Sequence, residues 1–177
     1  MAQLKIVFTG TVGAGKTQAV EALSEIPVLK TDVQATDEVV DLKDSTTIAM
    51  DYGEMAISDG ETLAVYGTPG QKRFAYMWDI LSRNALGIVI LVNNSRKDPI
   101  EDLCVYVNNF KQHIENTTAV FGVTHLDKAK NPAEEMNKYY TFFEQQGYHY
   151  PVFPVDARKR NDVNVLVESL LAMLEVG

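Results

Sequence analysis

The most specific chemistry in this chain lies in eight residues, "GTVGAGKT", Gly10 to Thr17. They fit G-x-x-x-x-G-K-[ST], and they stand where that pattern has a mechanism, after an apolar run, "LKIVFT", and at the head of a helix-like stretch. Gly10, Gly13 and Gly15 let the backbone amides of the loop, including those at Val12 and Ala14, curl around phosphate oxygens. Lys16 reaches the outer phosphates, and the Thr17 hydroxyl can hold magnesium beside the positive end of the helix, where Gln18 follows. The bland alternative is a tight glycine turn with an accidental lysine, and the strand-loop-helix setting argues against it.

A phosphate loop does not choose a base. The run "TAVFGVT" is followed by "HLDKAK", which puts Asp127 at the carboxyl end of a strand, where open α/β sheets bind ligands. A carboxylate there can accept from the N1–H and exocyclic amine of guanine, two donors that adenine does not present together. After the next strand comes "VDARKR": Ala157 can offer a backbone N–H to the guanine carbonyl, and Arg158 can stack near the base.

Together, "GTVGAGKT", "TTIAMDYG", "YGTPGQKRF", "VTHLD" and "DAR" resemble the Ras-like small GTPases, more closely the prokaryotic branch that includes the gliding-motility MglA group and the conservon GTPases. The likeness runs over essentially the whole chain. It implies a slow GTP hydrolase that binds GTP or GDP with magnesium and acts as a molecular switch. Thr47 is implied to close over the γ-phosphate and metal, with Thr46 as rival; Gly70 and Gln71 are implied to meet the γ-phosphate and orient the attacking water. Thr124 and His125 stand where this family carries Asn and Lys, so the supports of Asp127 differ; His125 packs along the ribose or phosphate loop, or is a solvent-facing loop histidine. No arginine precedes Arg73, which is a candidate internal arginine finger or an exposed helix arginine. Val12 crowds a position that is often glycine. The branch implies a Roadblock/LC7-type regulatory partner and unidentified effectors.

Gly67 stands where such proteins carry a magnesium-directing aspartate. "TTIAMDYGEMAI" and "ETLAVYG" read as two strands joined around Ser58, Asp59 and Gly60, and Asp-Gly is a strong two-residue hairpin signal. A two-residue turn there places Asp51 opposite Thr68 and diagonal to Gly67, about 5 to 8 Å away. Asp51 is therefore the candidate replacement ligand, holding a magnesium-bound water. The alternative is that Thr17, Thr47 and phosphate oxygens suffice, because magnesium keeps several waters.

These residues need a scaffold that brings strand ends together. Branched apolar runs at Leu4–Thr9, Ala85–Asn93, Thr118–Thr124 and Val152–Val155 alternate with helical stretches at Thr17–Ile26, Gln71–Arg83, Pro99–Ile114, Pro132–Gln146 and Asn161–Glu175. With the hairpin, that order predicts an α/β fold: a mostly parallel six-stranded sheet, one antiparallel edge strand, and helices on both faces. Pro27–Ser45 is the least regular stretch. The 177 residues, 46% apolar, suit one domain over the whole length.

A net charge of −8 opposes a general role in coating nucleic acid or anionic lipid. One cysteine, Cys104, cannot build a disulfide framework or a multi-cysteine metal site. Ala2 and the terminal "LAMLEVG" lack the usual acceptors for myristoyl or prenyl groups, and no window reaches the apolar length of a membrane span. The expectation is a cytoplasmic protein without a direct membrane anchor.

Overall fold

A computed structural model describes residues 3–33, 48–57, 60–69, 80–81 and 83–176, with the backbone alone at 31–33, 48–49 and 176. Among the described residues, seven strands form one sheet in the order β2-β3-β4-β1-β5-β6-β7. They are β1 (Leu4–Gly10), β2 (Leu29–Val33), β3 (Ile48–Ala56), β4 (Thr62–Gly67), β5 (Gly87–Asn93), β6 (Thr118–Thr124) and β7 (Val152–Pro154). β4, β1, β5, β6 and β7 run parallel, while β3 pairs antiparallel with both β4 and β2. The expected α/β class and its antiparallel margin are observed. The seventh strand is β2, inside the stretch that reads as irregular: its residues, "LKTDV", are a weak strand pattern, and pairing with β3 supplies what local propensity does not.

Helices α1 (Lys16–Leu23), α2 (Pro99–Asn109), α3 (Lys111–Glu115), α4 (Pro132–Gln145) and α5 (Arg160–Val176) cover the sheet. Every residue of β5 is buried, and its alternate side chains divide between two cores. Val89 and Leu91 join Phe8, Leu63, Val65, Leu23 and Leu166 beneath α1 and α5. Ile88, Ile90 and Val92 join Leu103, Phe121, Tyr139 and Phe143 beneath α2 and α4. A strand buried on both faces has no polar side to show, which is why its sequence is a continuous apolar run.

Helix starts follow local chemistry. Asp98 and Asn131 accept from the Glu101 and Glu134 amides, and Pro99 and Pro132 occupy the first helical position, where a missing N–H costs nothing. The single helix expected over Pro99–Ile114 breaks at Phe110, whose backbone leaves helical geometry while its ring turns into the core. Helix α1 stops at Leu23, short of the expected Ile26. There the Ser24 hydroxyl donates to the Ile26 carbonyl and accepts from the Glu54 amide, which stitches the helix end to β3. Among the described residues no helix is long and apolar enough to cross a membrane.

Candidate functional site

The loop between β1 and α1 is shaped by three glycines with positive φ: Gly10 at 134°, Gly13 at 70° and Gly15 at 92°. At Gly10 a side chain is impossible, because a Cβ would stand 1.8 Å from the Leu91 carbonyl oxygen. Gly15 caps α1 without any side-chain hydrogen bond, and the first turn carries no acid, so the helix presents free amides to an anion. Three side-chain or backbone contacts hold the loop from below: the Asn93 amide donates to Thr11 Oγ1 (3.1 Å), Asn93 Nδ2 donates to the Gly13 carbonyl (3.1 Å), and Thr124 Oγ1 lies 2.9 Å from the Ala14 carbonyl. Asn93 is absent from the residues that the sequence singles out. The available signal was a polar residue closing an otherwise apolar strand at the sheet edge where ligands bind.

Lys16 is 9% exposed, and its ammonium donates to the carbonyls of Gly10 (3.0 Å) and Thr11 (2.8 Å). Burial lowers its pKa to about 8, against the opposing pull of Asp51. Two neutral carbonyls are weak compensation for a buried cation, so the site favours an anion beside Lys16.

Asp51 sits directly opposite Gly67, and the hairpin register is one residue away from the expected pairing with Thr68. The Ile57 amide bonds the Glu61 carbonyl (2.9 Å), closing a loop one residue longer than the two-residue turn, and Gly60 takes φ 79°. This register keeps Met55, Leu63 and Val65 in one core under α1; a one-residue slip would turn β4's apolar residues to the other face. The Thr17 hydroxyl donates to Asp51 Oδ2. A Cβ on Gly67 would lie 3.2 Å from the Asp51 Cβ and 3.3 Å from Oδ2, so the missing side chain at 67 is the space that the carboxylate at 51 fills. The resulting pair, a hydroxyl and a carboxylate oxygen beside the phosphate loop, suits magnesium, a hard ion that takes few protein ligands. Among the described residues no group of three or more His, Cys, Asp or Glu side chains converges.

Beyond Gly15 a cleft of about 400 Å³ is lined by residues that include Gln18, Thr124, His125, Asp127, Ala157 and Arg158. The cleft and the loop touch, since a Cβ at Gly15 would approach the Ala157 Cβ to 2.8 Å. Asp127 and Arg158 are well exposed and 3.5 Å apart, while Arg158 makes two shorter bonds, 2.8 Å each, to Asp156. Those bonds hold the Asp156 carboxyl down to about 2 and raise the guanidinium further above its ordinary value. Arg158 thus stands beside Asp127 while paired with Asp156. His125 adopts φ 61°, and its Nδ1 lies 3.0 Å from Thr124 Oγ1. Burial and then Lys128 lower its pKa, partly offset by Asp127, a shift that favours the uncharged ring.

The structure thus gathers the phosphate-loop residues with Asp51 at one end, and Thr124, His125, Asp127, Ala157 and Arg158 at the other. Val12 is 53% exposed at the loop crest. Thr47, Gly70, Gln71 and Arg73 lie outside the described residues.

No family model matches the chain. It is 30% identical over 102 residues to an uncharacterized protein of Methanocaldococcus jannaschii, a match covering 56% of this chain; the chain spans about 57% of that relative's length. Among solved structures, the G domain of the FeoB iron transporter of T. maritima superposes with a TM-score of 0.66, at 15% identity, over 97% of this chain and 98% of that domain. The seven-stranded mixed sheet and its surrounding helices are therefore the fold of a G domain.

Proposed function

We propose that this chain is a guanine-nucleotide switch of the MglA-like kind, which binds GTP and GDP with magnesium and hydrolyses GTP slowly. The carrying observation is one juxtaposition: an uncapped, glycine-shaped phosphate loop holding a buried Lys16 abuts, through Gly15 and Ala157, a cleft that presents Asp127 beside Arg158. That spacing suits a nucleotide with its phosphates on the loop and its base in the cleft. Asp127 accepts from the base, the Thr17–Asp51 pair holds the metal and its water, and Lys16 neutralises the outer phosphates. Magnesium supplies charge neutralisation at the transferred phosphoryl group. The test of base choice is competition against labelled GDP. GTP should displace it at concentrations at least about 100-fold lower than ATP, the discrimination expected of a site whose polar groups go unpaired with the wrong base; equal displacement by ATP would overturn the assignment.

Hydrolysis without an arginine finger runs at about 10⁻⁴ per second in this reaction class, and a finger raises it by about 10³ to 10⁵. We place this protein at the slow end, with Gln71 positioning the water and a Roadblock/LC7-type partner rearranging the chain's own residues, Arg73 among them, to speed the step. Gly67 and the exposed Val12 favour a second reading, a nucleotide-binding interaction module with little or no hydrolysis. Single-turnover measurements with and without the partner separate the two: turnover that stays slow alone and rises at least 10²-fold with partner supports the switch, and no rise supports the module. A rate near 1 per second for the isolated chain contradicts both.

A further inference from the structure

Thr124 and His125 sit side by side at the seam between the cleft and the phosphate loop, and their hydrogens can be assigned by elimination. Thr124 Oγ1 lies 2.9 Å from the Ala14 carbonyl and 3.2 Å from the Val92 carbonyl. Carbonyl oxygens only accept, so the single hydroxyl proton of Thr124, a residue 2% exposed, is spent on them. The contact at 3.0 Å with His125 Nδ1 then has one consistent form, Nδ1–H donating to the hydroxyl oxygen. The hydrogen is on Nδ1 in either charge state, and in the uncharged ring Nε2 is the acceptor. The left-handed backbone at His125, φ 61°, turns the ring back toward Thr124.

Building on the nucleotide-binding reading above, we propose that His125 is a positioning residue, and that the directed chain from His125 Nδ1–H through Thr124 to the Ala14 carbonyl ties the base cleft to the phosphate loop and sets how slowly bound nucleotide leaves. A neutral donor and acceptor here do the joining that one longer amide side chain could do alone. The tie restrains the two halves of the site relative to one another, so losing it should show in the dissociation rate before it shows in base choice.

Long-range ¹H–¹⁵N spectra of the protein without nucleotide test the tautomer directly: the signature of a protonated Nδ1 is expected, and a protonated Nε2 with bare Nδ1 overturns the chain. Release of a fluorescent GDP analogue tests its role. His125→Asn keeps an amide donor near the Nδ1 position and tolerates positive φ, so its release rate should stay within about twofold of the parent. His125→Gln cannot place a donor there and should release about tenfold faster, the equivalent of one lost hydrogen bond. In a Thr124→Val background, the additional change to Gln should have no effect, whereas backbone strain from Gln would persist there. Equal rates for the Asn and Gln variants, or full additivity in the double variant, would overturn the positioning role. If the parent fails to bind GDP at all, the nucleotide reading falls while the tautomer result still stands or falls by itself.

Discussion

Gly67→Asp, the substitution that installs the aspartate expected here from the resemblance to Ras-like GTPases, should destabilise the protein by about 2 to 4 kcal/mol at pH 7. The Cβ alone would stand 3.2 Å from both Asp51 Cβ and Val20 Cγ2, closer than ordinary contact. Beyond the crowding, the new carboxylate would face the existing one across a single rung of the ladder. Two like charges about 4 Å apart repel by about 4 kcal/mol at an effective dielectric of 20, and one carboxyl takes up a proton to escape. Its folded pKa therefore rises above the unfolded value. A raised pKa contributes stability that is present below the unfolded value and is lost as pH climbs, so the electrostatic part of the deficit should be small near pH 4 and grow toward pH 7, on top of a steric part that does not change with pH.

Urea unfolding without nucleotide or magnesium measures this. Adding Asp51→Gly should restore at least half of the loss, because the carboxylate has then only changed strands. The same variants read on function: Asp51→Gly alone should release nucleotide about 10- to 100-fold faster at limiting magnesium, the scale expected when a group that orients a metal site is removed. The double variant should recover most of that. A Gly67→Asp protein as stable as its parent at pH 7 would show that the two positions do not compete for one space, and unchanged release from Asp51→Gly would remove Asp51 from the metal site.

Lys16→Ala should weaken GTP and GDP binding by about 30- to 4,000-fold, corresponding to about 2 to 5 kcal/mol for removing one partner of a buried charge pair. Calorimetry carries a second readout that a merely unfolded variant cannot imitate. Without nucleotide, burial lowers the lysine pKa to about 8, so at pH 8 the side-chain amine is about half protonated. Phosphates beside it restore the charge. Binding at pH 8, compared in two buffers of unlike ionisation heat, should therefore take up about half a proton per nucleotide, and the lysine's share of the exchange should fall toward zero near pH 6, where the lysine is already charged. Lys16→Ala, with its secondary structure intact by circular dichroism, should bind nucleotide weakly at raised concentration and without this proton uptake. Equal affinity of the folded variant and the parent would end the phosphate-loop reading. The sign for stability runs the other way: a lowered lysine pKa leaves the unfolded chain binding more protons between pH 8 and about 10.5, so the nucleotide-free protein gains stability as pH rises through that window.

Which parts of this were legible in the sequence follows from the range of the forces involved. The phosphate loop could be read because each of its requirements is local: Gly10, Gly13 and Gly15 for backbone conformations that side chains resist, Lys16 and Thr17 at the first helical turn. Strands β1, β5 and β6 are equally plain, since burial on both faces writes itself as mainly apolar runs: IVF in β1, GIVILV in β5 and AVFGV in β6. Asp127, Ala157 and Arg158 could be placed in one cleft because parallel strands deliver their carboxyl ends to the same edge. Strand β2 was not legible, because only its partner makes "LKTDV" a strand. The break at Phe110 is hidden in the sequence for a similar reason, as a buried ring outweighs helical continuity only once there is a core to enter.

By itself, then, the sequence determined the fold class and the glycine-shaped loop between β1 and α1, and it named the candidate phosphate- and base-reading residues, all of which rest on contacts within a few residues or on the direction of a strand. Tertiary structure alone decided that Asp51 lies opposite Gly67, that Asn93 and Thr124 hold the loop from below, and that Arg158 pairs with Asp156 beside Asp127. An Asp-Gly turn is compatible with either hairpin register. Only the demand that Met55, Leu63 and Val65 share one buried face selects the register that sets Asp51 against the empty space at Gly67, because a slip of one residue reverses every side chain on the strand.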